Sequence, residues 1–269
     1  MKELVFLKLG GSLITDKSQP YTPKLDVIED AALQISTALR AQPDLRLVLG
    51  HGSGSFGHMA ASEYRTRDGL QDEAAKDHYW KGFAEVWYQA SALNRFVMKA
   101  LRKVNVPAVA LAPAASVIAS SGKVSIWETT PIRMALGVGL VPVIYGDVIF
   151  DEVRGGTILS TEDLFGHLAR ALNPERILLA GLEAAVWEDF PARTRKVESI
   201  TPQTFSKFAE NIDKSANVDV TGGMKSKVSQ MLDLVQQNPL LKIQIFSGVE
   251  PGNIVRTLMG ESLGTWITA

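Results

Sequence analysis

Three glycine-rich segments of this 269-residue chain also carry Lys or His, at residues 8–12, 51–58 and 221–227. Glycines allow backbone N–H groups to converge on an anion, and Lys and His supply positive charge or protons. Each segment lies at a predicted strand end or helix start. Three such loops in one chain predict a site that holds several phosphates.

The first loop places Lys8 inside an apolar strand, directly before Gly10 and Gly11. We interpret Lys8 as a buried ammonium that faces phosphate oxygens, with the glycine N–H groups and the hydroxyl of Ser12 beside it. The alternative is an edge lysine whose stem packs on apolar surface while its charge stays in water. Lys17 follows in a polar loop, where a lysine is ordinarily solvated.

The second loop lies between His51 and His58 and is neither a P-loop nor a dinucleotide-binding motif. His58, at the start of a helix predicted over residues 59–64, would direct a ring N–H at an anion bound by the loop amides. A capping histidine without function is the alternative. The two histidines lack a nearby acidic or third histidine partner, so we predict no metal-ligating residues.

The third loop opens a helical pattern with Gly222 and Gly223, and Lys227 follows. The N-terminal amides of that helix would face an anion, although a solvated helix start is an equal alternative. Asp147 ends another predicted strand, where an aspartate either orients basic groups or caps a turn.

Short apolar runs alternate with helical patterns, which predicts an α/β fold with helices on both faces of a mostly parallel sheet. The predicted strands are 4–9, 45–50, 106–111, 140–145, 177–180 and 243–246. One helix is predicted after Pro23, and three more over residues 77–103, 161–172 and 224–237. The stretches 123–127 and 148–159 are predicted to be hairpins. We expect one continuous domain, residues 1–269, with its cleft where the carboxyl ends of the strands meet the glycine loops.

Composition narrows the function classes. The formal net charge is −1, which argues against a general nucleic-acid-binding protein. The chain has no cysteine, so disulfides, thiolate metal sites and cysteine nucleophiles are excluded. No signal peptide and no membrane span are predicted, and we expect a soluble cytoplasmic protein.

The loops together favour phosphoryl transfer, which needs positioning and charge neutralisation more than a strong base. Lysines from separate loops would supply that charge together with Mg²⁺. An acceptor that is itself a phosphate needs no strong general base, which suits a site with many lysines and one candidate histidine.

At this point the motifs resemble the amino acid kinase superfamily. The Lys-x-Gly-Gly-Ser start, the glycine-rich second loop, the Gly-Asp strand end and the Thr-Gly-Gly-Met-x-x-Lys segment occur in its usual order over nearly the whole chain. Residues 55–58 and 15–17 are similar to the isopentenyl phosphate kinases, which phosphorylate isopentenyl phosphate with ATP. The resemblance implies an open three-layer αβα sandwich with a mostly parallel central sheet, and a homodimer. It also implies an acceptor-binding lobe of about residues 1–170 and a nucleotide-binding lobe of about residues 171–269.

The resemblance assigns roles to residues of this chain. The implied catalytic residues are Lys8, Lys17, His58, Asp147 and Lys227. The implied ATP-binding residues are Lys8, Gly10, Gly11, Ser12, Ser53, Gly222 and Lys227. The implied substrate-binding residues are Gly52, Gly54, Gly57, His58 and Gly146. In this scheme His58 binds the substrate phosphate, Lys17 stabilises the transferred group and Asp147 orients the lysines.

The chain departs from the family pattern at three places. Ser53 replaces a glycine of the second loop and should have a negative φ. Residues 181–187 lack the two aspartates and the glycine of a Thr-Asp-Val-Asp-Gly-Val-Tyr segment, which affects the expected nucleotide contacts. Ser226 replaces a small glycine before Lys227.

Three alternatives keep the fold and change the function. Fosfomycin-type phosphonate kinases carry a histidine in the same loop. They differ in the acceptor pocket, since a short phosphonate needs a small polar pocket whereas a prenyl tail needs an apolar one. An acyl-phosphate-forming amino acid kinase does not normally need this histidine. A non-catalytic nucleotide sensor would explain the altered segment 181–187, although the retained lysines and His58 speak against it.

Overall fold

The first strand, β1 (Leu4–Leu9), determines the layers because its side chains alternate between two hydrophobic cores. Leu4 and Phe6 belong to one core, whereas Val5 and Leu7 belong to the other. A strand that is apolar on both faces must lie inside a sheet with helices on both sides. Lys8 continues the alternation of Leu4 and Phe6, so its side chain lies on their side of the sheet.

The computed structural model of the chain describes residues 3–209 and 223–269. After β1, the strands in this part of the chain are β2 (Arg46–His51), β3 (Ala108–Ala110), β4 (Val117–Ser120), β5 (Lys123–Trp127), β6 (Val141–Tyr145), β7 (Asp147–Asp151), β8 (Gly155–Leu159), β9 (Arg176–Gly181), β10 (Ser199–Ile200), β11 (Lys242–Ser247) and β12 (Thr265–Ile267). The α-helices are α1 (Gly11–Ile14), α2 (Leu25–Ala41), α3 (Gly54–Tyr64), α4 (Lys76–Lys103), α5 (Thr130–Gly137), α6 (Thr161–Leu172), α7 (Gly223–Gln237) and α8 (Asn253–Leu258).

The central sheet has the strand order β10-β12-β11-β9-β1-β2-β6-β3. Its strand pairs are parallel except for β11 with β12. Helices α2, α4 and α8 contribute to the core on one face, and α6 and α7 contribute to the core on the other. The predicted α/β class, an αβα sandwich with a mostly parallel central sheet, is confirmed.

A smaller sheet with the order β5-β4-β7-β8 lies beside the central one. Strands β7 and β8 form the hairpin predicted at residues 148–159. The hairpin predicted within residues 123–127 is wrong, since Lys123–Trp127 is a single strand that pairs with β4. The turn lies before it, at Ser121 and Gly122, which both have positive φ values.

Helix α3 begins earlier than predicted. The sequence suggests a helix over residues 59–64, but α3 starts at Gly54, so that His58 lies in its second turn rather than at its start. Gly54 has a φ of +50°, and Ser53 before it has a φ of −80°, the negative value expected for this position. The sequence does not predict this helix start, because the loop is rich in glycine and glycine disfavours helix interiors.

Among the described residues, no helix combines the length and the apolar character needed to cross a membrane.

Candidate active site

A cavity of about 320 Å³ lies at the carboxyl ends of the central strands. Strand β1 brings Lys8 to it, β9 brings its last residue, Gly181, and Gly52 and Gly146 directly follow β2 and β6. Crevices at this edge of an open parallel sheet are where such folds bind ligands.

The two N-terminal glycine loops touch each other backbone to backbone. A Cβ on Gly11 would lie 2.5 Å from the Gly54 nitrogen, and a Cβ on Gly52 would lie 2.8 Å from the Gly11 nitrogen. No side chain fits between these segments, so the glycines are required by close approach. Their backbone N–H groups are thereby brought together at one end of the cavity.

Hydroxyl groups fasten the same two loops. The Thr15 hydroxyl donates to the Gly11 carbonyl at 2.7 Å, and its oxygen accepts from the Ser55 N–H at 3.0 Å. Thr15 therefore joins the end of α1 to the first turn of α3. Because Lys17 and His58 follow these positions closely in the chain, the two loops set their relative placement.

A buried carboxylate joins two of the predicted lysines. Lys8 forms an ion pair with Glu162, and Lys227 Nζ lies 4.0 Å from the same carboxylate. Glu162 stands in the first turn of α6, on the side of the sheet where Lys8 points. Burial alone would raise the pKa of the Glu162 carboxyl, but the two lysines hold this pKa below its ordinary value.

The first turn of α6 is itself fixed by a capping box. The Ser160 hydroxyl accepts from the Asp163 N–H at 3.1 Å, and the Ser160 N–H donates to the Asp163 carboxylate at 2.8 Å. The other carboxylate oxygen of Asp163 accepts from Gln230 of α7 at 2.8 Å. Glu162 and Lys227 are therefore carried by two helices that are directly bonded to each other.

The two histidines of the second loop have different environments. His58 lines the cavity. His51 is fully buried, stacks on Tyr145 at 5.3 Å between ring centroids, and has a ring nitrogen 3.2 Å from the Asn94 side-chain oxygen. Burial lowers the pKa of His51, so the His51 ring is neutral at physiological pH. Its contacts with Tyr145 and Asn94 hold the second loop in place from within the core.

The structure corrects the role predicted for Asp147. This side chain is not part of the cavity lining; its carboxylate accepts from the Val148 N–H at 2.9 Å and the Ala114 N–H at 3.3 Å. Burial raises the pKa of Asp147 to about 7. The carboxylate that contacts Lys8 and Lys227 is Glu162, which takes the orienting position expected for Asp147.

Most predicted site residues surround this single cavity. Those that line it are Lys8, Gly10, Gly11, Ser12, Lys17, Gly52, Ser53, Gly54, Gly57, His58, Gly146 and Lys227. Gly222 lies outside the described residues, and its neighbour Gly223 lines the cavity.

One wall of the cavity is largely apolar. Ala61 lies one turn after His58 on α3, and Val86 of α4 and Ile158 of β8 line the same cavity. Arg67 is the charged exception. This wall stands on the side of β1 where β2 and β6 lie.

The opposite wall comes from the segment that follows β9. Glu183, Trp187 and Phe190 line the cavity there, close in sequence to Gly181. Residues 181–187 therefore still contribute to the cavity, although they depart from the expected pattern.

The sequence prediction missed Glu162, Trp187 and Phe190. In the sequence Glu162 indicates only a helix cap, because its partner Lys8 lies 154 positions away. The aromatic residues carried no recognisable spacing, since their placement depends on a loop.

Comparison with known proteins agrees with this geometry. Residues 3–247 match the model of the amino acid kinase family. The chain is 33% identical over 269 residues to isopentenyl phosphate kinase of Methanocaldococcus jannaschii, with 98% of each chain covered. It is 34% identical to the enzyme of that name from Methanothermobacter thermautotrophicus, with 98% of this chain and 99% of the relative covered.

A solved isopentenyl phosphate kinase structure superposes with a TM-score of 0.83 at 31% identity, covering 98% of this chain and 100% of that one. The chain therefore belongs to the amino acid kinase family and, within it, to the isopentenyl phosphate kinases.

Proposed function

We propose that the chain transfers the γ-phosphoryl group of ATP to isopentenyl phosphate, giving isopentenyl diphosphate and ADP. The observation that carries this proposal is the meeting of Lys8, Lys17, Lys227 and His58 in one cavity with an apolar wall. The cations suit two phosphorylated compounds, and the apolar wall suits a short branched hydrocarbon tail. The names of the relatives support the same activity.

In this proposal an oxygen of the acceptor phosphate attacks the γ-phosphorus, and the bond to the β-phosphate oxygen breaks. Lys8, Lys17 and Lys227 neutralise the charge on the transferred group and on the flanking phosphates. His58 donates a hydrogen bond to the acceptor phosphate and so orients the attacking oxygen. The N–H groups of the touching glycine loops would bind the remaining oxygens.

Glu162 acts through the lysines. Its carboxylate pairs with the buried ammonium of Lys8 and holds it in place, with Lys227 Nζ 4.0 Å away. Since both lysines share this partner, one side chain determines how far apart the two ammonium groups stand.

Mg²⁺ belongs to the proposal as a companion of ATP. The described residues contain no group of three or more acidic or histidine side chains that could hold a metal ion, and Glu162 is already paired with Lys8. These residues fit an ion held mainly by nucleotide phosphates and water, a common arrangement for Mg²⁺. When bound, the ion would neutralise phosphate charge.

The division of labour in the single domain of residues 1–269 is also a proposal. Residues that follow β2 and β6 would bind the acceptor, and residues that follow β9 and those of α7 would bind the nucleotide. Strand order supports this, since these strands lie on opposite sides of β1. We propose a homodimer because the family resemblance implies one. A cytoplasmic location is proposed because a chain without cysteine fits a reducing compartment.

The direct test is turnover. Purified protein with ATP, Mg²⁺ and isopentenyl phosphate should form the diphosphate, followed by phosphorus NMR. Fosfomycin and n-butyl phosphate serve as comparison acceptors, and we expect both to react more slowly. Faster turnover of fosfomycin would favour the phosphonate kinase, for which Arg67 would be the polar contact.

Absence of turnover on every alkyl phosphate and phosphonate would contradict the proposal. ATP binding in calorimetry without any turnover would instead favour the nucleotide sensor.

A further inference from the structure

The loop between β9 and β10 places two aromatic side chains at the cavity. Trp187 and Phe190 both line it, on the side of β1 away from His58. Both side chains are partly exposed rather than buried in the core. An aromatic ring at the rim of a cavity offers a face on which a flat ligand group can stack.

The base of this loop is tied to the central sheet. The Val197 N–H donates to the Val186 carbonyl at 2.9 Å, and Trp187 forms an antiparallel bridge with Lys196. The buried Thr265 hydroxyl of β12 accepts from the Val186 N–H at 2.8 Å and donates to the Val197 carbonyl at 2.6 Å. Both arms of the loop therefore start from fixed points, which limits the movement of Trp187.

A charged pair within the loop fixes the aromatic rings. Arg193 donates to the two Glu183 carboxylate oxygens at 2.9 and 2.8 Å, and the Trp187 ring N–H donates to one of them at 3.1 Å. The Arg193 guanidinium also lies 4.6 Å from the centre of the Phe190 ring. The Glu183 carboxylate is thus occupied by partners within the loop.

From these contacts we propose that Trp187 and Phe190 form the surface on which the nucleobase of ATP stacks, held in place by the Glu183–Arg193 pair. This inference rests on the proposed function, because it takes ATP as the nucleotide. The phosphate-binding groups lie along β1 and α7, so the base extends toward the β9 side of the cavity. Because Arg193 and Trp187 occupy the Glu183 carboxylate, recognition on this surface is by stacking, which tolerates different bases since every base has an aromatic face.

The test distinguishes the contribution of the base to ATP binding from that of the phosphates. Isothermal titration calorimetry would measure binding of ATP and of inorganic triphosphate to wild type, Trp187→Ala and Trp187→Phe, without acceptor. We expect Trp187→Ala to weaken ATP binding roughly tenfold to a hundredfold, the range that base–aromatic stacking contributes. Triphosphate affinity should stay unchanged, and Trp187→Phe should retain most of the ATP affinity.

Tyr88→Ala is the matched control, since Tyr88 is an exposed aromatic of α4 that does not line the cavity. It should bind both ligands as wild type does. Thermal unfolding of each variant checks that it is folded. If Trp187→Ala does not fold, the ratio of ATP to GTP affinity of the wild type carries the test.

Three results would overturn the proposal. Trp187→Ala could bind ATP as tightly as wild type, it could lose ATP and triphosphate equally, or wild type could prefer ATP over GTP by more than a hundredfold. Failure of the proposed function is recognised separately, because it would appear as ATP binding without phosphorylation of any acceptor.

Discussion

At the scale of single residues, loss of charge should reduce activity much more at Glu162, which lines the cavity, than at Asp147, which does not. Glu162→Gln removes the counter-charge of Lys8, so we expect kcat to fall roughly a hundredfold or more, as when one charge-stabilising group is lost from an active site. Asp147→Asn should leave kcat within a few-fold, since Asp147 contacts backbone N–H groups outside the cavity. Steady-state kinetics of both variants decide this, and a large loss in Asp147→Asn would restore the role first predicted for it.

Asp147 also predicts a pH effect on stability. Its folded-state pKa of about 7 lies above the ordinary 3.8, so the folded protein binds this proton more tightly than the unfolded chain. This contribution to stability is present at low pH and is lost as the pH rises toward 7. Asp147→Asn removes the effect, so its melting temperature relative to wild type should increase from pH 4.5 to pH 8. An equal difference at both pH values would contradict the raised pKa.

His58 should matter for activity far more than for folding. A hydrogen bond to a charged group contributes about 1.5–3 kcal/mol, so His58→Ala should lower kcat/KM for the acceptor roughly tenfold to a hundredfold. The melting temperature should change by no more than about 2 °C, because the side chain faces the cavity. His58→Gln keeps a donor and should recover part of the activity. Unchanged kinetics in both variants would mean that His58 is only structural.

At the scale of elements, two helical glycines should respond oppositely to alanine. A Cβ on Gly11 would lie 2.5 Å from the Gly54 nitrogen, a backbone atom that cannot move aside, so Gly11→Ala should destabilise the protein and reduce activity. Gly166 of α6 has no atom within 4 Å of its Cβ position. Gly166→Ala should therefore stabilise the protein by about 0.5–1 kcal/mol through helix propensity. Urea unfolding measures both, and equal effects would contradict the close approach of the loops.

The elements also show what a sequence can reveal. Strand β1 and helix α6 lie at the predicted residues, because an apolar strand and a capping box are local signals. The start of α3 is not predicted by the sequence, since it depends on the positive φ of Gly54 and on the close approach of Thr15 and Gly11, which are distant in the chain. Glu162 was missed for a similar reason, as its pairing with Lys8 joins residues 154 positions apart.

At the scale of the whole molecule, one sheet connects the two proposed lobes. Strand β1 pairs with β2 on one side and with β9 on the other, through five residue pairs from Val5–Arg176 to Leu9–Ala180. One hydrophobic core likewise contains Phe6 together with Ile177 and Ile243. Separating the lobes would expose this shared core, so they should not unfold independently.

Calorimetry tests this directly. We expect one unfolding transition for the full chain, and a saturating nucleotide should move that whole transition to higher temperature, since a ligand that binds only the folded state stabilises everything that unfolds with its site. Isopentenyl phosphate should shift the same transition, although its proposed contacts lie on the other side of β1. Two resolved transitions, with ATP moving only one of them, would show that the lobes are separate cooperative units. In that case the contact of Lys227 with Glu162 would join two domains, whereas the Lys8–Glu162 ion pair would lie within the first of them.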